Sequence, residues 1–275
     1  MLKLLAAALF VTLAAVAAVA ILAHWRWSRA IDADIARLLA AAAEDGDVVT
    51  VERGGTLPAP VQRYVAYSGV IGRPIPRTVR LSQRGRIRSA PEAAWMQLAA
   101  DEVYSTHPPA FVWKASFPGR NLPVVFGRDK YLDGEGSILM KALGLYRVAD
   151  EGGGSAMNDA SLMRYLNEMV WFPAAFAGRN VTWREIDANA AEVTLVDRGR
   201  RATATMFFDA EGRPVNFRAL RYNTATRRNE IWETPFTRYG NFGGVNVPAA
   251  GSAVWKLAGG GFTYIELEIL GIEYD

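Results

Sequence analysis

The chain contains no cysteine. Disulfides, thiolate nucleophiles, iron–sulfur clusters and Cys-type zinc sites are thereby excluded. So is a lipoprotein anchor, which needs a cysteine at its cleavage site. Histidine is nearly absent too. His24 sits in an apolar run and His107 precedes Pro108-Pro109, which is too little for a His-based zinc centre. Lysine occurs only at positions 3, 114, 130, 141 and 256, so the basic side chains are almost all arginine. The formal net charge of +3 lacks the basic excess of a nucleic-acid binder. No P-loop, G-x-S-x-G or H-E-x-x-H signature occurs. No βαβ alternation announces a Rossmann fold or an eight-stranded α/β barrel. No cofactor and no metal are implied.

What the chain does have is a long apolar start. From Leu4 to Ala23 every residue is apolar except Thr12. A helix of that length rises about 30 Å, one hydrocarbon core. Lys3 precedes the run, and Trp25, Arg26, Trp27 and Arg29 follow it, the side chains that settle at headgroup level. Ala18-Val19-Ala20 offers a small-x-small cleavage site, but the run continues past it. An uncleaved anchor over residues 1–27 is the reading adopted. Basic residues on both flanks leave the positive-inside rule undecided; the very short N-terminal tail favours tail inside and domain outside. The arginines elsewhere are read either as plain compositional bias or as contacts to lipid-headgroup phosphates.

Residues 28–56 read as a continuing helix and linker. Ile31, Ile35, Leu38 and Leu39 make one apolar face, Glu44-Asp45-Gly46-Asp47 ends it, and Gly54-Gly55 is a hinge. Residues 57–275 form the main domain. Pro58 opens a short helix with Val61, Tyr64 and Val65 on one side and Gly69 beyond its end. At Thr78 the period changes to two. Val79, Leu81, Gln83, Gly85 and Ile87 alternate with Arg80, Ser82, Arg84, Arg86 and Arg88, as in an antiparallel strand with one wet face. Further strand-like runs cover 93–104, 110–117, 122–132, 137–148, 181–187, 190–198, 201–208, 215–222, 228–233, 244–248, 252–258 and 262–273. Asp133-Gly134-Glu135-Gly136 and Asp209-Ala210-Glu211-Gly212 carry the chemistry of tight reversals. One helix interrupts the strands. Asp159 or Ser161 caps it, Leu162, Tyr165, Leu166, Met169 and Val170 form its apolar face, and Trp171-Phe172-Pro173 closes it. Gly152-Gly153-Gly154-Ser155 before it reads as a flexible joint. The expected fold is mainly β (α+β): a curved, half-open antiparallel β-barrel of about 10–12 strands with a covering helix, plus an N-terminal transmembrane helix.

Aromatic residues dominate the strand runs: Trp95, Phe111, Trp113, Phe208, Phe217, Trp255, Phe262 and Tyr264. Most serve as core, but bulky side chains on a concave sheet face also make an apolar pocket. Gln97 and Arg221 are the polar exceptions on such faces. Arg164 and Glu168, spaced i, i+4, read either as a surface pair or as polar groups at a pocket mouth beside Trp171 and Phe172. Asp129, Asp133 and Glu135 cluster at one turn; an acid pair or His107 could do proton-transfer chemistry, although a solvated turn is the plainer reading.

Several motifs carry a resemblance. They are Leu57-Pro58-x-x-Val61-x-Arg63-Tyr64, Trp95-x-Gln97, Phe111-x-Trp113-x-Ala115, Asp133-Gly134-Glu135-Gly136 and Arg164-Tyr165-Leu166-x-Glu168-x-x-Trp171-Phe172-Pro173. Over about residues 55–270 the chain resembles a bacterial domain-of-unknown-function family, which implies no activity. At fold level it is similar to Lol-type lipoprotein carriers, half-open β-barrels that hold acyl chains. The function expected is a membrane-tethered extracytoplasmic protein that binds a hydrophobic small molecule or membrane lipid without chemistry. Trp95, Gln97, Trp113, Arg164, Glu168, Trp171 and Phe172 are the candidate ligand-binding residues. An envelope hydrolase using Asp133, Glu135 or His107 and an interaction scaffold pairing through a sheet edge are the alternatives.

Overall fold

The change of period at Thr78 is where the sheet begins. A computed structural model describes residues 1–43, 47–118 and 124–275. Three helices precede the sheet: α1 (Leu2–Ala41), α2 (Val51–Gly55) and α3 (Ala59–Ser68). The strands are β1 (Thr78–Ile87), β2 (Met96–Ser105), β3 (Ala110–Phe117), β4 (Val125–Leu132), β5 (Glu135–Ala142), β6 (Tyr146–Gly152), β7 (Val181–Asp187), β8 (Ala190–Asp197), β9 (Arg200–Phe208), β10 (Pro214–Asn223), β11 (Arg228–Glu233), β12 (Phe236–Phe242), β13 (Val245–Leu257) and β14 (Gly260–Tyr274). Helix α4 (Ser155–Glu168) lies between β6 and β7 and runs into 3₁₀ turns at Met169–Trp171 and Pro173–Ala177.

Among the described residues the strands form one antiparallel sheet in the order β6-β5-β4-β3-β2-β1-β14-β13-β11-β10-β9-β8-β7, with β12 on β13. Its two ends are β6 and β7, so the curled sheet does not close: the fold is a half-barrel crossed by a helix. There are fourteen strands rather than about 10–12. The run 137–148 is two strands, because Leu143 and Gly144 take positive φ (53° and 71°) and reverse the chain. The runs 244–248 and 252–258 are one strand, β13, and β12 lacked the alternation that would have announced it. The β4 reading began at residue 122; residues 122 and 123, like Glu44-Asp45-Gly46, lie outside the described residues.

Asp133 (φ 55°) and Gly134 (φ 85°) form the reversal between β4 and β5. Both left-handed positions suit an Asp-Gly hairpin loop. Gly136 allows a close approach instead. A Cβ there would lie 2.2 Å from Ser161 Oγ, so α4 rests directly on β5 backbone. Asn158 Oδ1 accepts the Gly136 N–H at 2.8 Å in the same contact. Helix α4 starts at Ser155 with Gly154 as N-cap, one turn before the expected caps. Asp159 instead meets Arg200, and Ser161 is buried against the sheet. Gly54 and Gly55 close α2 rather than forming an open hinge.

The main core lies on the concave side, with Tyr64, Tyr104, Phe111, Tyr165, Phe172, Phe176 and Phe217 among its largest members. A second, smaller cluster lies on the convex side. There Trp27, Ile31 and Leu38 of α1 cover Val103, Ala110, Val112 and Leu132. This explains the continuous burial of residues 110–113 in β3: Phe111 and Trp113 face in while Val112 is capped from outside. Asp34 of α1 accepts from Lys130 Nζ (2.7 Å) and Arg128 Nη1 (3.2 Å). The arginine face of β1 is spent on cross-strand pairs with β14, Arg84 with Glu268 and Arg86 with Glu266, each at 2.7 Å.

Candidate functional site

The half-barrel is not filled. A cavity of about 630 Å³ lies between the concave face and α4. One wall is aromatic. Trp232, Trp255 and Tyr264 sit side by side, with Trp255 and Tyr264 stacked at 6.0 Å and Trp232 Nε1 donating to Tyr264 Oη at 3.2 Å. Aliphatic side chains such as Ile138, Met140, Ile265 and Leu267 continue the surface. Residues Arg88–Pro91 after β1, Thr224–Thr226 after β10 and Leu257 at the tip of β13 line one end. Strand direction puts these connections at the same edge of the sheet; lined there by loops rather than by the end of the helix, the cavity has its mouth at that edge. The C-terminal end of α4 and Trp171 lie at the opposite end, where Tyr165 Oη donates to Ser105 O and Tyr274 Oη to Trp171 O.

The other wall carries a buried ion cluster. Arg164 donates through Nε to Glu168 (2.8 Å), through Nη1 to Asp129 (2.6 Å) and through Nη2 to Glu102 (3.0 Å). Its guanidinium also lies over the Phe111 and Trp113 rings. Gln83 Nε2 donates to Glu102 at 3.0 Å, Tyr104 Oη to Glu168 at 3.2 Å, and Trp113 Nε1 to Gln83 Oε1 at 3.4 Å.

Burial pushes the Glu102 carboxyl well above the usual carboxylate range, and the charge of Glu168 beside it adds to the rise. Burial also raises Glu168 and Asp129, against the pull of Arg164. Burial opposes the charge on Arg164, but Glu168, Glu102 and Asp129 outweigh it and hold the guanidinium protonated. Glu102 is therefore the carboxyl of the three that holds a proton most tightly. The cluster then balances: Arg164 and Arg221 face Asp129 and Glu168.

Arg221 differs from Arg164. Its Nε donates to Ala160 O at 3.0 Å, and its plane lies 4.6 Å from the Trp232 ring centroid. It makes no other hydrogen bond among the described residues, and it lines the cavity. Burial lowers its proton affinity. Its Nη groups are thus donors facing the cavity without a protein acceptor.

Of the residues expected to line a site, the fold brings together Trp113, Arg164, Glu168 and Trp171. Three lie elsewhere. Gln97 pairs in register with Arg86 and points outward into a surface groove, because the inward members of β2 are Leu98, Ala100, Glu102 and Tyr104. Trp95 sits outside the cavity lining with Arg86 and Arg88 each 4.6 Å from its ring centre. Phe172 is fully buried core against Tyr104 and Tyr165. Asp133, Glu135 and His107 occupy the β4–β5 and β2–β3 turns at the end opposite the mouth. Asp133 is engaged by Arg37 of α1 and, across the curl of the sheet, by Arg198 of the β8–β9 turn. Sequence reasoning missed Glu102, which alternation alone would have placed on the inner face, and grouped Asp129 with Asp133 and Glu135 at one turn, whereas it lies within β4.

A one-sheet antiparallel half-barrel, closed at one end by a helix and hollow at the other, defines the class of this protein. Residues 47–267 match the model of DUF6544, a family of unknown function, and the chain belongs to that family. The motif from Arg164 to Pro173 thus falls inside the family region. No curated protein matches the sequence. Among solved structures, the chain is similar to a LolA superfamily protein from Nitrosomonas europaea, with 11% identity, TM-score 0.41, 78% of this chain and 92% of that one covered. A DUF1329 family protein from Desulfovibrio piger gives 11% identity, TM-score 0.44, 80% and 94%.

Proposed function

We propose that this protein is a membrane-tethered binding protein for an amphiphilic, lipid-like molecule. The observation that carries the reading is the hollow interior: about 630 Å³ of largely apolar space, with a guanidinium in its wall whose Nη groups have no protein acceptor among the described residues. Sites for small molecules have this size and this character, mostly apolar with few directed polar groups. Burying a chain against Trp232, Trp255 and Tyr264 supplies affinity, about 25 cal/mol per Å² of apolar area before ordering costs. Arg221 takes an acceptor on the polar head. Arg164 and Glu168 shape the wall and keep their bonds to each other, and Trp113 and Trp171 close the inner end of the site. The N-terminal apolar helix, a candidate span by length and composition, holds the domain at the inner membrane with its bulk outside.

A second reading has one observation in its favour. Asp129 and Glu168 are cavity-wall carboxyls raised by burial, as catalytic acids often are. Their oxygens are engaged by Arg164 and Tyr104, which makes them counter-ions first. If they act as acids, Asp129→Asn abolishes turnover of a bound amphiphile and leaves its binding intact.

The binding reading is tested by titrating the full chain in detergent with an environment-sensitive anionic amphiphile, with native mass spectrometry for co-purified lipid. Saturable 1:1 binding is expected. Arg221→Met should weaken an anionic ligand about 10- to 150-fold, from the ~1.5–3 kcal/mol of a hydrogen bond to a charged group, and a neutral one far less. No saturable binding to the folded chain would leave the scaffold reading in its place. A mature N-terminus at Ile21, or a domain protected from protease added to spheroplasts, would refute the tethering or its orientation.

A further inference from the structure

The contacts of α1 fix the direction in which its apolar half leaves the domain. His24 lies against Phe126 at the start of β4, ring centres 4.4 Å apart, and against Gly144 in the β5–β6 turn. Trp27 lies under Lys141 at the end of β5. Asp34 meets Arg128 and Lys130 in mid-strand, Arg37 meets Asp133 at the far turn, and Ala43 N donates to His107 O at 2.8 Å. The helix therefore runs along β4 from the mouth end to the closed end. Leu2–Leu22 project past the mouth end, about 30 Å at 1.5 Å per residue.

That same end carries exposed apolar side chains. Leu143, Leu145 and Tyr146 of the β5–β6 turn are exposed, Tyr146 by 75%, as are Val148 and Met96. Trp25 is exposed at the same level of α1, with Arg29 over its ring. Exposed apolar side chains beside Trp and Arg are the composition of a membrane–water interface.

We propose that the mouth of the cavity sits against the bilayer that holds Leu4–Ala23, with Leu143, Leu145 and Tyr146 set into its interface. A ligand then passes between bilayer and cavity without crossing water. The occupant of this apolar tip is a phospholipid bilayer, since continuity with the apolar helix allows no other surface at that level; Arg26, Arg29 and Arg147 there favour anionic headgroups. The ligand half of this inference rests on the binding function proposed above; the docking half does not.

The absence of cysteine makes the test clean. The full chain is reconstituted in phosphatidylcholine–phosphatidylglycerol vesicles with a single Cys carrying an NBD label, at Tyr146→Cys or, at the far end, at Glu135→Cys. The expected result is a blue-shifted emission at position 146, quenched by nitroxide lipids, and a water-like emission at 135. Water-like emission at both positions, or quenching at 135 only, overturns the inference even if the cavity binds lipid in detergent. Leu145→Asp/Tyr146→Asp alters exposed positions only. It should slow uptake of a fluorescent lipid from vesicles and leave binding of the same lipid from detergent unchanged. Equal uptake by variant and wild type refutes the transfer route. Labels that respond as expected in a chain that binds no lipid refute the binding function and leave the docking half standing.

Discussion

Replacing Arg164 by Met probes the ion cluster most directly. The side chains are similar in length, and Met fills irregular space well, so packing changes little. The charge change is large. Three hydrogen bonds at 2.6, 2.8 and 3.0 Å disappear, and Asp129 and Glu168 lose their counter-ion inside the protein. Bonds to charged groups are worth about 1.5–3 kcal/mol each, but three bonds to one guanidinium do not add independently. The carboxyls also escape by taking protons, at about 1.4 kcal/mol per unit between their pKa and the pH. A loss of about 3–5 kcal/mol at pH 7 follows, the range for a buried pair with one partner removed. Without Arg164 the carboxyls bind protons still more tightly when folded, so acidification recovers stability. The deficit should shrink by about 1 kcal/mol or more between pH 7 and pH 5. Urea unfolding of the full chain in detergent, followed by tryptophan fluorescence, measures both. A loss below about 1 kcal/mol at both pH values, the scale of an exposed i, i+4 pair, would refute the buried cluster.

Glu102→Gln should keep the bond from Arg164, lose the one from Gln83 Nε2, which then meets an amide NH2, and remove a pH dependence. Glu102 binds its proton more tightly folded than unfolded, so its stabilising share is complete below the usual carboxylate range and is lost as pH rises through that range toward its raised native value; the variant should flatten that decline in urea titrations, and an unchanged slope would place the proton elsewhere. Surface acids act with the opposite sign in a lower window: Glu268, held at about 2 by hydrogen bonds from Arg84 and Arg238, gains between pH 2 and the usual carboxylate value. Gly136→Ala puts a methyl group 2.2 Å from Ser161 Oγ and should cost about 1–3 kcal/mol by lifting α4 off β5, read as a lower thermal midpoint. Trp171→Ala opens the closed end of the cavity; it should cost at most the ~3–5 kcal/mol of a buried aromatic and weaken binding of an apolar dye, and a stability loss with unchanged dye affinity would make Trp171 plain core.

Alternation made the sheet legible. Val79, Leu81 and Gln83 face inward as their period requires, and even the odd polar member, Gln83, is buried because Glu102 and Trp113 bond it. What alternation cannot show is which strands become neighbours. Arg84 and Arg86 looked free for phosphates until β14 supplied Glu268 and Glu266 from almost the far end of the chain. The same blindness hid the cluster. Arg164 and Glu168 are visible together on one helix, while Glu102 and Asp129 come from β2 and β4 and meet them only after the sheet curls. Gln97 failed for a simpler reason: its distance from Leu98 is one residue, and one residue changes the face.

The ion cluster also bears on why the cavity stays open. A half-barrel with an apolar interior of this size would gain by collapsing, since empty apolar space forfeits dispersion contacts on every side. Arg164 is held from β2, β4 and α4 at once, and α4 itself lies on glycine backbone at one end. These bonds set the spacing between helix and sheet in a way that apolar packing alone would not. The neutral balance of Arg164 and Arg221 against Asp129 and Glu168 lets the wall do this without an uncompensated charge. An anionic head added beside Arg221 upsets that balance, and a proton taken up by Glu168 or Asp129 restores it. Binding of an anionic amphiphile should therefore take up protons as pH falls toward the range to which burial has raised those carboxyls. Calorimetric titrations in buffers of different ionisation enthalpy read that uptake as a change in observed binding heat. Equal heats in all buffers would mean that the head does not reach the cluster.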